Sequence, residues 1–271
     1  MKFNIQKGSG NPGLPTAKKG QAILALKNDI LQVPELSADG VAYEGNFVFV
    51  PGATFGLLYM TPSTQAATYE AGGNPDGMGS KNKFVGEHPG TTREIMAWMK
   101  KYGSEEFIII YGGCCTNTSE KKVMGSICNP MKLSASGKDD KDGNANTLTF
   151  EQEQLNDERV MFYYGDIDFA LPYSPAGPSF ALDKTKGLQY QLPASTAAAN
   201  ISVTSSDYEN GSIITFLGGG GTTPLLMKNS SAGAVGVLLK NGADWTALQG
   251  ASIHFRVVVA DKTYLVELSR K

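Results

Sequence analysis

The chain has 271 residues, enough for one large domain or two modest ones and enough to bury a core. Its 24 Lys and Arg against 26 Asp and Glu leave a net charge of -2, so it lacks the whole-chain electrostatic pull of nonspecific nucleic-acid or anionic-lipid binders. With 32 Gly and 13 Pro it is turn-rich but short of low-complexity composition, and its 18% charged residues suit a surface in permanent contact with other subunits.

The start, Met1 to Gly8, has no apolar run after its basic residue, so no secretory signal is expected, and no window approaches the roughly 18 apolar residues of a membrane helix. Residues 1–20, rich in Gly, Pro and Lys, read as an arm ordered only by a neighbour. Two short strands follow, over 45–50 and 54–59, broken at Pro51-Gly52. Residues 61–90 hold so many Gly and Pro that a long functional loop is expected. Thr91 with Glu94 makes a capping box, and Ile95, Trp98, Met99 and Tyr102 form an apolar stripe, which predicts a helix over 91–102 stopped at Gly103.

A strand over 107–111, a turn over 112–122 and a returning strand over 123–128 predict a hairpin packed on that helix. A polar turn at 139–146 leads to an alternating strand at 147–153, with Leu148 and Phe150 inward and Thr149, Glu151 and Glu153 outward. Another strand-like run spans 160–164. The proline-rich stretch 171–199 has little pattern and marks a soft boundary, giving a first unit of 1–194 and a second of 195–271. In the second unit short strands recur, ending with Ile253 to Val259, where Ile253, Phe255, Val257 and Val259 share a face, and Tyr264 to Leu268, where Tyr264, Val266 and Leu268 do. The fold class is mainly β: an antiparallel sandwich or barrel with one flanking helix and a C-terminal β domain.

Motifs that carry chemistry are sparse. The tetraglycine Gly218 to Gly221 runs into Thr222-Thr223-Pro224 without the Lys of a phosphate loop, so a flexible hairpin tip is the better reading. Asp140, Asp142, Asn144, Asn146 and Glu151 imitate calcium-loop spacing, but Ala145 holds the glycine position and a strand follows. His88 and His254 are the only histidines; nothing brings either to Cys114, Cys115 or Cys128, which read as reduced structural thiols, and His254 is expected in solvent or at an interface. Asp166 with Asp168, and Glu151 with Glu153, have the period of solvated strand charges more than that of a glycosidase pair. No catalytic, cofactor-binding or metal-binding residue is assigned.

From residue 91 to 154 the order is helix, strand Phe107 to Tyr111, hairpin, Val123-Met124-Gly125-Ser126-Ile127, Leu133-Ser134-Ala135-Ser136-Gly137, a polar insertion and Leu148-Thr149-Phe150. This resembles the second half of bacteriophage tail tube proteins and the related tubes of type VI secretion and contractile injection systems. The resemblance implies a non-catalytic virion subunit, made in a host bacterial cytoplasm, whose rings, usually hexameric, stack into a hollow tail tube. Its partners would be itself and other tail proteins, with DNA only as passing cargo and no membrane. The 61–90 loop would then grip the adjacent ring, with Thr64, Tyr69, Asn74, Met78, Phe84 and His88 as contact candidates. Residues 200–271 depart from the compact family pattern and would be a decoration domain. The alternatives are a β-sandwich binding module, with Trp245, Tyr163, Tyr164 and Tyr173 stacking on sugars, another capsid-associated virion protein, and last an enzyme.

Overall fold

The computed structural model describes residues 5–7, 13, 17–112 and 121–271. The first sheet system contains β1 (Gln21–Leu26), β2 (Ile30–Gln32), β3 (Glu35–Leu36), β4 (Ala42–Glu44), β5 (Val48–Phe49), β6 (Gly56–Tyr59), β7 (Ala66–Gly72) and β8 (Gly79–Pro89). It continues through the helix α1 (Arg93–Tyr102), then β9 (Glu106–Gly112), β10 (Lys121–Met124), β11 (Met131–Asp140), β12 (Gly143–Gln152) and β13 (Met161–Tyr163). The second contains β14 (Ser179–Leu182), β15 (Gln189–Gln191), β16 (Ser202–Ser206), β17 (Ile213–Leu217), β18 (Leu226–Met227), β19 (Val235–Leu238), β20 (Trp245–Thr246), β21 (Ser252–Val259) and β22 (Thr263–Arg270). The chain is mainly β, as its patterning predicts.

β9 is the hub of the first system. One edge pairs with β1, Ile23 opposite Ile110, and β1 pairs onward with β6. The other edge is shared: β10 takes residues 109–112 and β11 takes 106 and 107. The sheet therefore forks, running from β10 to β13, β4 and β3, and from β11 to β12, β8 and β7. Phe107, Ile109 and Tyr111 face a core with Leu24, Phe84, Met131, Leu148 and Phe150, while Ile108 and Ile110 face a second core with Phe47, Phe49, Val123 and Tyr163. Burial on both faces explains why this strand is a continuous apolar run.

α1 closes the first core through Ile95, with Trp98, Met99 and Tyr102 packed beside it. The helix starts two residues later than its sequence predicts. Thr92 is the N-cap, with no side-chain capping bond, and Thr91 instead accepts a hydrogen bond from Asn144 Nδ2 at 3.1 Å.

Residues 61–90 are not a long loop but a single helical turn at Pro62–Thr64 and the hairpin β7–β8, paired from Ala66 with Val85 to Gly72 with Gly79. The alternation is hidden because the inward residues of β8 are Ser80, Asn82, Phe84 and Gly86. Gly86 leaves room for the Met60 side chain, whose Sδ would lie 2.7 Å from a Cβ at this position. The polar turn at 139–146 likewise shrinks to Lys141-Asp142, because β11 and β12 pair without interruption to Asp140 opposite Gly143.

The second system is a five-stranded sheet in the order β15-β17-β21-β22-β19, with the pairs β14–β16 and β18–β20 adding side chains to one core. The proline-rich stretch supplies Phe180, Leu182, Tyr190 and Leu192 to that core. Ile253, Phe255 and Val257 are fully buried, whereas Val259 at the strand end is exposed. On β22 the core residue is Leu265, opposite Val257, rather than the Tyr264, Val266 and Leu268 face. The polar Glu267 beside it masks that face in the sequence; it is buried because Arg270 and the Lys240 N–H satisfy its carboxylate.

The tetraglycine is no flexible tip. Gly218, Gly219 and Gly220 are buried where segments 192–195 and 247–249 meet, and a Cβ on Gly218 or Gly219 would lie 2.0 or 2.2 Å from the carbonyl oxygens of Leu248 or Leu192. Only glycine permits such backbone approach.

Candidate functional site

The two sheet systems meet along a polar seam. Gln189 donates to the Phe49 carbonyl at 2.7 Å and accepts from the Phe49 N–H at 3.1 Å, as a neighbouring strand would. Asn46 donates to the Ile213 carbonyl (2.9 Å) and accepts from the Asp166 N–H (2.8 Å), and Asp166 Oδ2 accepts from the Ile213 N–H (3.1 Å). Gln32 reaches Gly250 and Ser252.

Gln189, Thr215 and His254 form a row across β15, β17 and β21 on this side. His254 is thus not a solvent residue. It is 7% exposed, its Nδ1 lies 2.9 Å from Thr215 Oγ1, and burial, then the charge of Lys271, lowers its pKa to about 4.

The other sequence candidates are spread apart. Asp166 and Asp168 serve backbone N–H groups, those of Ile213 for the first and of Ala170 and Leu188 for the second, so they hold loops rather than face a substrate. Glu151 lies 2.6 Å from Lys81 and 3.3 Å from Lys83, and Glu153 lies 3.0 Å from Lys132, as outward charges should. The calcium-like set does not converge. Asp140 caps the N–H of Asp142, Asn144 and Asn146 bond Thr91 and Gly90, and Glu151 sits nine strand residues beyond Asp142, on the order of 30 Å. Cys128 is exposed and free, whereas Cys114 and Cys115 lie outside the described residues.

The contact candidates cluster on the β7–β8 hairpin. Tyr69 and Met78 are 58% and 62% exposed, and Asn74 caps the tip by accepting from the Asp76 N–H. Thr64 ties the hairpin base by accepting from the Glu87 N–H, and His88 packs edge-on against the exposed Tyr59. Phe84 leaves the set, because it is fully buried and stacks near Tyr111 in the core. The sugar-stacking set loses members in the same way: Trp245 and Tyr163 are core residues, Tyr173 packs against Tyr190, and Tyr164 alone is widely exposed.

Sequence patterns miss the strand edges. The outer edge of β7 has no partner strand among the described residues, and β11 from Ser134 to Asp140 pairs only with β12. Among the described residues the ribbon β11-β12-β8-β7 thus ends in two free edges, and its outward face carries paired charges, Lys81 and Lys83 with Glu151 and Lys132 with Glu153, a ladder that continues off the ribbon through Glu106 of β9 to Lys27. Periodicity in one chain reports faces but not edges. No described helix is long and apolar enough to cross a membrane. No family model, curated protein or solved structure matches the chain.

Proposed function

We propose that this chain is a structural subunit that joins copies of itself edge to edge into rings, stacked as a hollow tube of the phage-tail type through which DNA passes. The observation that carries the proposal is the pair of free edges on one ribbon. Unpaired strand edges template further pairing, and a head-to-tail contact between β7 of one copy and β11 of the next closes into a ring when its rotation divides a full turn. The exposed Tyr69 and Met78 on the hairpin then supply apolar contacts between rings.

The outward face supports a passage role. Its lysines and glutamates neutralise one another, so it offers a phosphate backbone no row of unpaired cations to hold it. In this reading the chain has no catalytic task, its partners are its own copies and other tail proteins, and its place is the virion tail.

Negative-stain microscopy with light scattering over a concentration series tests this. Rings or tubes are expected for the unaltered chain, and the double variant Tyr69→Ser, Met78→Ser is expected to keep rings but lose stacking. A strict monomer at every concentration rejects the proposal, and tubes of normal length from the double variant remove the hairpin from it.

A further inference from the structure

Two buried amide oxygens lack a hydrogen-bond partner, Asn82 Oδ1 and Asn156 Oδ1. Both lie at the tip end of the β7–β8 hairpin, where Ala71 pairs with Ser80 and Tyr69 with Asn82. Ser80 and Asn156 form an antiparallel bridge, so their side chains share a face, and Asn82, two residues along β8, lies on that face too. Asn156 Nδ2 donates to Glu158 Oε2 at 2.9 Å, and Ser80 Oγ donates to the Glu158 carbonyl at 3.1 Å. A Cβ at Gly79 would lie 2.9 Å from the Asn156 carbonyl oxygen, so this segment lies directly over the start of β8.

Turning the Asn156 amide over does not remove the orphan. Its nitrogen is held by the Glu158 carboxylate, and the reversed amide would set oxygen against oxygen. Asn82 is 1% exposed, and a buried carbonyl without a donor costs about 1–3 kcal/mol. Two such oxygens, a hydroxyl with free lone pairs and a carboxylate on one face make a set of hard oxygen donors with one negative charge. Calcium takes that mixture of amide carbonyls, carboxylate and water, whereas softer metals want nitrogen or sulfur. Among the described residues no three His, Cys, Asp or Glu converge, so a cation here would be held largely by neutral amides.

We propose that Asn82 Oδ1, Asn156 Oδ1, Ser80 Oγ and the Glu158 carboxylate form a site for a hard divalent cation of the calcium class, which pins residues 154–158 to the tip end of the hairpin. The site is independent of tube formation and distinct from the calcium-like spacing at Asp140 to Glu151.

The test uses the full chain stripped with EDTA, thermal unfolding with added calcium or magnesium chloride, and terbium luminescence excited through nearby tyrosines. Calcium at millimolar concentration is expected to raise the midpoint by several degrees, through preferential binding to the folded state. Glu158→Gln and Asn156→Ala are expected to fold as the unaltered chain does in EDTA yet to weaken terbium binding at least tenfold; should Asn156→Ala fail to fold, Glu158→Gln decides. A midpoint indifferent to calcium with no terbium signal, or a response that survives Glu158→Gln, overturns the proposal.

Discussion

His254 shows how one residue ties the seam to pH. Burial favours the neutral imidazole and the charge of Lys271 adds to this, so the pKa falls from 6.5 in the unfolded chain to about 4 in the fold. The unfolded chain therefore binds the extra proton first between these values, and stability rises with pH across that window. The contribution is complete above pH 6.5, shrinks as pH falls, and is gone below about 4; its full size is about 3 kcal/mol. Urea unfolding at a series of pH values is expected to show this loss. His254→Asn is expected to be less stable at pH 7, because Thr215 loses its partner, but flatter between pH 6.5 and 4. Parallel curves for the two proteins remove His254 as the cause. At the same scale, the buried glycines show how a composition signal misleads: four adjacent glycines look like freedom, but three of them sit where other backbones leave no room for a side chain.

At the scale of elements, the β7–β8 hairpin joins two roles that a loop would not combine. Its inner face carries Phe84, in contact distance of Tyr111 and buried with Phe150, Leu148 and Ile109. Phe84→Ala is expected to cost about 3–5 kcal/mol, and Tyr69→Ser, on the same face but exposed on the edge strand β7, within about 0.5 kcal/mol, both read from denaturant midpoints. A Phe84→Ala cost under 1 kcal/mol would detach the hairpin from the core. Strands with clean alternation were legible from sequence, as at Leu148 and Phe150 or Ile253, Phe255 and Val257, and so were the helix stripe and the apolar run at Phe107 to Tyr111. The hairpin was not, because the polar Ser80 and Asn82 occupy buried inward positions and so break the apolar alternation. The core face of β22 was obscured by Glu267, whose burial depends on Arg270 and a distant N–H. Of the site, the exposed Tyr69 and Met78 lay in the segment singled out from sequence, while the free edges and the paired charges depend on strand order, which local patterning does not encode.

At the scale of the molecule, the question is whether two sheet systems with separate cores unfold as one. Their buried apolar clusters are separate, and across the seam polar groups are matched one to one: Gln189 completes the backbone of Phe49, and Asn46 and Asp166 complete that of Ile213. Separating the systems uncovers these groups together. Removing one side chain while the seam stays closed leaves a buried N–H and carbonyl unpaired, at about 1–3 kcal/mol each. Calorimetry of the unaltered chain is accordingly expected to give a single transition whose calorimetric and van't Hoff enthalpies agree. The double variant Asn46→Ala, Gln189→Ala is expected to split it into two, because each core can then melt without breaking the other's hydrogen bonds. Two separate transitions in the unaltered chain would mean that the seam does not couple the systems. A single transition would mean that residues 173–271 move with the ribbon, so that in the proposed ring the second sheet system would be held at a fixed angle to the edges proposed to join one copy to the next.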